Sequence, residues 1–177
     1  MKRGRKLTIG NREGTLLITI LVIFVLMCLI KGRLFYARSN IEAIFSNLAY
    51  DLLLACGMTF VIILGGVDLS VGAVLALTGI ICTLLIQQGV ATIVAVLAGV
   101  LFGAAIGMLN GILVAKANVA PFVATLGTQS ICRGICYVLT SGYFVAGLSE
   151  EYTAIGRGTF LGIPNRIFIS ILIMLIL

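Results

Sequence analysis

The segment GGVDLSVGA, residues 65–73, places one carboxylate, Asp68, inside some of the most apolar sequence of the chain. A charged side chain at membrane depth is costly, so it normally faces a protein interior or water and has a partner. Asp68 can accept N–H bonds at the start of a helix that begins at Leu69, pair with Arg133, or bind a solute or an ion. Capping is the simplest role, because it needs no ligand.

Five polar residues in two neighbouring apolar segments are candidates for contact with a solute: Asn110, Thr125, Thr128, Gln129 and Arg133. The last four belong to residues 121–139, where helical spacing largely gathers them on one side. Asn110 needs a partner on another helix or a water molecule, and interhelical bonding is the structural alternative. Arg133 can extend its side chain to the interface, pair with Asp51 or Asp68, or contact the solute.

Glycines supply two further candidate sites. Gly65 and Gly66 precede Asp68, and each costs about 1 kcal/mol in a helix interior, so the three residues predict a helix break that acts as a hinge and a cap. Along residues 90–115 a small residue recurs at every fourth position, which forms a smooth ridge for another backbone to approach. The glycines of this ridge are predicted helix-packing residues, with a channel lining as the alternative: Gly99, Gly103, Gly107 and Gly111.

The elements that position these residues are membrane-spanning helices. Of 177 residues, 61% are hydrophobic and 10% are charged, with a mean hydropathy of +1.24. Residues 69–115 carry no Asp, Glu, Lys or Arg. As one helix this run would be about 70 Å long, more than twice a hydrocarbon core of about 30 Å, so it must turn back near residues 87–89. An all-α, polytopic transmembrane bundle is predicted.

Five to six spans are expected, at residues 15–30, 48–64, 69–86, 90–115, 121–139 and 167–177. Residues 31–47 are predicted to form a short outer connection, with an interfacial helix as the alternative, and residues 140–166 a longer polar segment outside the membrane. The last apolar run is shorter than the roughly 20 residues that a crossing helix needs. We therefore expect the chain to be the N-terminal fragment of a longer protein.

Charge sets the expected orientation and excludes other functions. Five of the twelve basic residues precede the first span, which is typical of a cytoplasmic flank and not of nucleic-acid binding. Residues 1–14 are thus predicted to be a cytoplasmic tail and residues 15–177 an incomplete transmembrane domain. The five cysteines lie in or beside apolar segments and His is absent, so neither a disulfide framework nor a metal site is expected.

Catalysis by the chain itself is not expected. No nucleotide-binding G-x-x-x-x-G-K-[ST] motif is present, and Ser and Thr lack a base for a hydrolytic triad. Tyr50-Asp51 and Gly66-Val67-Asp68 resemble the YD and GxGD pair of intramembrane aspartyl proteases. However, Gly66 stands two residues before Asp68, and the two aspartates are too near in sequence for two separate catalytic helices.

Three blocks, GMTFVIILGGVDLSVGAVLALTG, NGILVAKANVAPFVATLGT and RGICYVLTSG, closely resemble in order and separation the permease subunits of bacterial ABC sugar importers of the ribose, galactose and xylose class. The resemblance runs from about residue 40 to the end. It implies the type II importer permease fold, about ten helices per full subunit, and a location in the bacterial inner membrane. It also implies that the complete protein is nearly twice as long.

The same resemblance implies a set of partners. These are a second permease copy, cytoplasmic ABC ATPase subunits that bind the ATP, and an extracytoplasmic sugar-binding protein, so no cofactor is expected in this chain. Transport would proceed by alternating access, with a ribose-like monosaccharide passing at the dimer interface. Two functions of other kinds stay open: an ion-coupled secondary transporter that uses Asp68 as its ion site, and a membrane scaffold that transports nothing.

Overall fold

A computed structural model describes residues 11–160 and 163–176 of the chain. The chain divides into two units, with the boundary between Asn47 and Leu48. This boundary falls within the second helix. The predicted division at residues 14 and 15 remains a prediction, because most of the proposed tail lies outside the described residues.

The first unit contains one long apolar helix and the connection after it. Helix α1 spans Asn11–Lys31 and is followed by a 3-10 helix at Gly32–Leu34. Nearly all the large apolar side chains of α1 are exposed, as on a helix that faces lipid. Helix α2, Arg38–Ile63, begins in this unit, and Arg38 Nε donates to Glu42 Oε1 at 2.7 Å one turn later.

The second unit contains the rest of α2 and all later elements. The helices are α3 at Val71–Gln87, α4 at Thr92–Ala115, α5 at Pro121–Thr140, α6 at Glu150–Arg157 and α7 at Asn165–Ile176. Between α6 and α7, strands β1 (Thr159–Phe160) and β2 (Ile163–Pro164) form a minimal antiparallel pair in which Thr159 faces Pro164. The glycine of the α3–α4 turn, Gly89, has a φ of +87°, a backbone conformation that glycine adopts without strain.

Helix α3 is the centre of the second unit. It packs against both α4 and α5, and the two outer helices also contact each other. Leu77 of α3 is fully buried, and Ala73 and Cys132 complete the small core around it. Because these residues are small or medium-sized, the three helices approach closely, as is usual for helices packed within a membrane.

The predicted all-α architecture is confirmed, and the bounds of α4 and α5 are close to those predicted. Four helices, α1, α2, α4 and α5, are long and apolar enough to cross a membrane, whereas α3 and α7 are shorter apolar helices. Two predicted starts are wrong. Helix α2 begins at Arg38 instead of residue 48, and the Arg38–Glu42 ion pair stabilises this polar first turn. Helix α3 begins at Val71 instead of Leu69, because Asp68 and Ser70 bond to each other ahead of it.

Candidate functional site

A non-helical segment, residues 64–70, separates α2 from α3. Gly65 has a φ of +78°, and the N–H groups of Gly66 and Gly65 donate to the carbonyls of Val61 at 3.0 Å and Ile62 at 2.9 Å. This pair of bonds is the glycine-dependent motif that commonly ends helices. The structure therefore has the helix break at the two glycines that the sequence singles out.

Asp68 acts on the helix start through Ser70. Its Oδ1 accepts from the Ser70 backbone N–H at 2.7 Å and from the Ser70 hydroxyl at 2.6 Å. The first of these bonds closes a turn in which a carboxylate accepts from the backbone two residues later. Ser70 is 1% exposed and directly precedes Val71, the first residue of α3. Asp68 thus orders the residue before the helix instead of bonding the helix itself.

Ser70 also joins a chain of buried hydrogen bonds across three helices. Asn110 of α4 donates from Nδ2 to Ser70 Oγ at 3.1 Å, and Thr128 of α5 donates its hydroxyl to Asn110 Oδ1 at 2.5 Å. Asn110 is 6% exposed and Thr128 is 8% exposed. Every member of this chain, Asp68, Ser70, Asn110 and Thr128, has a protein partner, and we call it the Ser70 network.

The predicted solute-contact residues divide into two groups. Asn110, Thr125 and Thr128 are buried between helices. Thr125 donates to its own helix at Pro121 O, 2.9 Å away, and approaches Val67 O at 3.2 Å. In contrast, Gln129 is half-buried and Arg133 is exposed. The structure thus brings Asp68, Asn110 and Thr128 together and leaves Arg133 apart from them.

The predicted ion pairs of Arg133 do not form. Within residues 11–160 and 163–176, the salt bridge present joins Arg38 to Glu42, and neither Asp51 nor Asp68 pairs with Arg133. The same residues contain no group of three or more His, Cys, Asp or Glu side chains that could hold a metal ion. The electrostatic partner of Asp68 is therefore a hydroxyl and a backbone N–H, not a cation.

The glycine ridge of α4 also divides into two halves. A Cβ at Gly99 would collide with Cys82 Sγ, and one at Gly103 would lie 3.5 Å from Thr78 Cγ2, so these two glycines permit the close approach of α3. Gly107 and Gly111 have open space at the Cβ position. For this second pair the packing role remains a prediction, because no atom of another described element lies within 4 Å of the position that a Cβ would take.

An open groove of about 870 Å³ runs along α3 and α4 in the second unit. Asp68, Ser70 and Gly107 line it at the start of α3, whereas Cys82 lies further along the same helix. Of the five predicted solute-contact residues, none lines this groove. Most of the lining is apolar, and the remaining walls come from α2, α6 and the start of α7.

The groove contains a polar cluster that the sequence analysis missed, formed by Tyr50, Tyr152 and Arg166. The Arg166 guanidinium carbon lies 5.9 Å from the centre of the Tyr50 ring, within the range of a cation–π contact. Burial raises the pKa of the Tyr152 phenol above its ordinary value, with smaller contributions from Cys82 and Tyr50. We call these three residues the Arg166 cluster.

Hydrogen bonds fix the elements that carry this cluster. Ser170 of α7 donates its hydroxyl to Ala49 O of α2 at 3.1 Å, and Asn165 Nδ2 donates to Ala154 O of α6 at 3.1 Å. Ser149 caps α6 by accepting from the Tyr152 N–H at 3.2 Å. The three side chains of the cluster therefore come from three elements that are bonded to one another.

Contacts also hold the segment before α6 against the α3–α4 turn. Gln87 Nε2 donates to Ala146 O at 2.8 Å, and the Thr92 hydroxyl donates to Glu151 Oε2 at 3.2 Å. Glu151 is exposed but already has a partner, whereas Glu150, also exposed, starts the helix beside it. These bonds connect the end of α3 and the start of α4 to the segment before α6 and to its first turn.

The fold defines the chain as a multi-pass helical membrane protein. Residues 40–177 match the family described as branched-chain amino acid transport system / permease component, and the chain belongs to that family. No solved structure matches the chain.

Several curated relatives are permeases named for sugars. The chain is 42% identical over 159 residues to the ribose import permease protein RbsC of Bacillus subtilis, with 89% of the chain and 49% of the relative covered. It is 35% identical over 168 residues to the D-allose transport system permease protein AlsC of Escherichia coli K12, with 94% and 51% covered. The L-arabinose ABC transporter permease protein AraH of Azospirillum brasilense is 31% identical over 169 residues, with 96% and 49% covered. The chain spans about half the length of these relatives.

Proposed function

We propose that the chain forms part of the permease subunit of an ATP-driven importer that moves a ribose-like monosaccharide across the bacterial inner membrane. The observation that carries this proposal is the family match over residues 40–177, together with relatives named as permeases for ribose, allose and arabinose. Four helices long and apolar enough to span a membrane are consistent with it.

The proposed importer divides the work among several subunits. A cytoplasmic ABC ATPase binds and hydrolyses ATP, since this chain has no G-x-x-x-x-G-K-[ST] motif. A sugar-binding protein delivers the solute from outside, and a second permease copy completes the path. The permease subunit itself catalyses no reaction, and its helices alternate between outward and inward openings.

The hydrogen bonds of the described residues separate the five candidate solute-contact residues into two groups. Asn110, Thr125 and Thr128 already form hydrogen bonds between or within helices, so we assign them to packing in the conformation described. The half-buried Gln129 and the exposed Arg133 remain candidates for contact with the solute. Asp68 is assigned a structural role because both of its bonds stabilise the start of α3.

We place the N-terminus in the cytoplasm, because five basic residues precede the first span. When α3 is counted as a crossing in addition to the four longer helices, the five crossings place residues 140–166 outside, with α6 as a surface on which the binding protein docks. Glu150 and Glu151 give the start of α6 a negative charge.

Charge reversal at Glu150 tests this docking surface. In membranes that contain the complete importer, Glu150→Lys should reduce the stimulation of ATP hydrolysis by the sugar-loaded binding protein. Glu150→Asp, which keeps the charge, is the matched control. Glu151→Lys should reduce stimulation further, because it also removes the acceptor of the Thr92 bond. Unchanged stimulation by Glu150→Lys would remove the case for docking at α6.

Uptake by cells tests the proposed function itself. The gene that encodes the chain is deleted and then restored at its own locus, and the uptake of radiolabelled ribose, allose and arabinose is measured. At least one sugar should be taken up only by the restored strain, and depletion of ATP should abolish the uptake. Uptake that survives ATP depletion but stops with an ionophore would instead support an ion-coupled transporter that uses Asp68. No uptake of any sugar would favour a scaffold.

A further inference from the structure

We propose that the Arg166 cluster is a binding subsite for the hydroxyl groups of a neutral monosaccharide inside the groove. This inference rests on the proposed function and assigns the residues that meet the solute within the groove. It differs from the sequence-based expectation, because Tyr50, Tyr152 and Arg166 all lie outside the predicted set of solute-contact residues.

The first observation is an N–H group without an acceptor. Arg166 Nε is buried and has no hydrogen-bond partner among the described residues. A buried donor left unpaired costs about 1–3 kcal/mol, and more when it belongs to a charged group. Arg166 also lines the groove, and the buried Nε becomes accessible to an oxygen atom of a solute there when the side chain moves. The structure thus holds an unpaired donor in a side chain that lines the groove.

The second observation is the chemistry beside that donor. The Tyr50 and Tyr152 side chains line the same space, and a phenol both donates and accepts hydrogen bonds. A phenol keeps its proton at physiological pH, so the Tyr152 hydroxyl is available as a donor. Sugar hydroxyls need this mixture of donors and acceptors close together, whereas an inorganic ion would need charged or carbonyl ligands.

The third observation is the shape of the site. A volume of about 870 Å³ falls within the range of about 300–1,000 Å³ that is typical of small-molecule pockets. Its lining is mostly apolar, with a few polar groups converging at one place, which is also the usual composition of such pockets. Bonds from Ser170 to α2 and from Asn165 to α6 hold the three polar side chains in register.

Charge favours a neutral solute over a cationic one. Arg157 and Arg166 both line the groove, and neither forms an ion pair within residues 11–160 and 163–176. The carboxylate of Asp68 also lines it, at the start of α3, where it is bonded to Ser70. Two unpaired guanidinium groups repel a cation. They would hold an anion strongly, which is unsuitable for a solute that must leave again. A neutral hydroxyl accepts from Arg166 without that additional attraction.

The test places a reporter cysteine in the groove. The complete protein that carries it is produced from its own gene locus. Gly156 lines the groove one turn after Tyr152 and has open space at its Cβ position, so the Cβ of Gly156→Cys fits there without a clash. The rate of alkylation at residue 156 by a small thiol reagent is read by peptide mass spectrometry. Ribose, allose and arabinose are added in increasing concentration, with sucrose at equal osmolarity as the control. Leu148→Cys, which also lines the groove, is a second reporter if the first variant is poorly produced.

We expect the transported monosaccharide to slow alkylation and sucrose to leave it unchanged. In the reporter background, Arg166→Gln should raise the half-protecting sugar concentration roughly tenfold or more, and Tyr152→Phe should raise it about threefold, the values for losing one charged and one neutral hydrogen bond. Tyr143→Phe is the matched control, since Tyr143 is 79% exposed and lies outside the groove lining.

Three results would overturn the subsite. The first is failure of the reagent to reach residues 156 and 148, because protein would then fill the groove. The second is alkylation that no transported sugar slows, in cells whose sugar uptake is normal. The third is stronger protection by glucuronate than by the neutral sugars. If the unmodified importer takes up no sugar, the proposed function has failed instead, and the uptake assay reports that separately.

Discussion

The two polar clusters of the second unit differ in how fully their hydrogen bonds are satisfied. In the Ser70 network every side chain has a partner within the protein, and Ser70, Asn110 and Thr128 are nearly inaccessible. In the Arg166 cluster a buried donor has no acceptor among the described residues, and the side chains line an open groove. A satisfied network stabilises one packing arrangement, whereas an unsatisfied one leaves interactions for a ligand. We therefore expect the Ser70 network to stabilise the fold and the Arg166 cluster to bind a ligand.

The largest loss of stability is expected at Asn110, where two bonds of the Ser70 network meet. Asn110→Leu removes both bonds and leaves the Thr128 hydroxyl without its acceptor, at a cost of about 2–4 kcal/mol. The measurement is the midpoint of thermal unfolding of the purified protein in detergent, followed by size-exclusion chromatography. Asn47→Leu, at an exposed position, is the control and should change the midpoint little. An unchanged midpoint for Asn110→Leu would mean that the network does not hold the helices together.

A smaller contrast is expected along the glycine ridge. Gly99→Ala places a methyl group against Cys82 Sγ and should destabilise the protein by about 1–3 kcal/mol, as overpacking does. Gly107→Ala enters open space within a helix and should leave stability unchanged or raise it by up to about 1 kcal/mol. The same thermal assay compares the two variants. A loss at Gly107 equal to that at Gly99 would show that another helix lies against the open half of the ridge.

Asp68 tests whether its carboxylate serves structure or transport. Asp68→Ala removes both bonds to Ser70 and should cost about 1–2 kcal/mol, with loss of assembled complex. Asp68→Asn retains an oxygen acceptor and should cost less. Stability and sugar uptake are measured on the same preparations, and the preference among sugars should not change. A stable Asp68→Ala complex with selectively abolished uptake would contradict the structural role.

The smallest effect on stability is expected in the Arg166 cluster. Tyr152→Phe removes one hydroxyl that faces the groove and should change the free energy of unfolding by less than about 0.5 kcal/mol. The same variant is expected to weaken the protection of residue 156 from alkylation by the sugar. It should therefore change sugar binding while leaving the free energy of unfolding nearly unchanged. If Tyr152→Phe unfolds the protein as readily as Asn110→Leu, the two clusters do not differ in the way inferred here.

The sequence predicted those parts of the fold that depend on continuous apolar length. Helices α4 and α5 were located closely because turn residues bound their charge-free or nearly charge-free runs. The start of α2 was missed because Arg38 and Glu42 look like a loop in composition but pair across one helical turn. Helix α6 was also missed, although Ser149 followed by two glutamates is a recognisable helix start.

Individual site residues were harder to predict than elements. The helix break at Gly65 was predictable because its cause is local. Ser70 was overlooked because nothing in DLS shows that its hydroxyl meets Asn110, which is distant in sequence. Tyr50 and Arg166 are separated even further, and only the packing of α7 on α2 brings them together. Juxtapositions of this kind depend on tertiary structure and leave no local pattern.

The interruption at residues 64–70 has a mechanical consequence. The backbone ladder of α2 ends there, and α3 starts afresh from a serine that is tied to α4 and α5. Bending or tilting of α2, and of α7 bonded to it, is therefore not transmitted along a continuous rod into α3. Helices α3, α4 and α5 can travel as one block, with the short linker at Gly65 absorbing the change in angle.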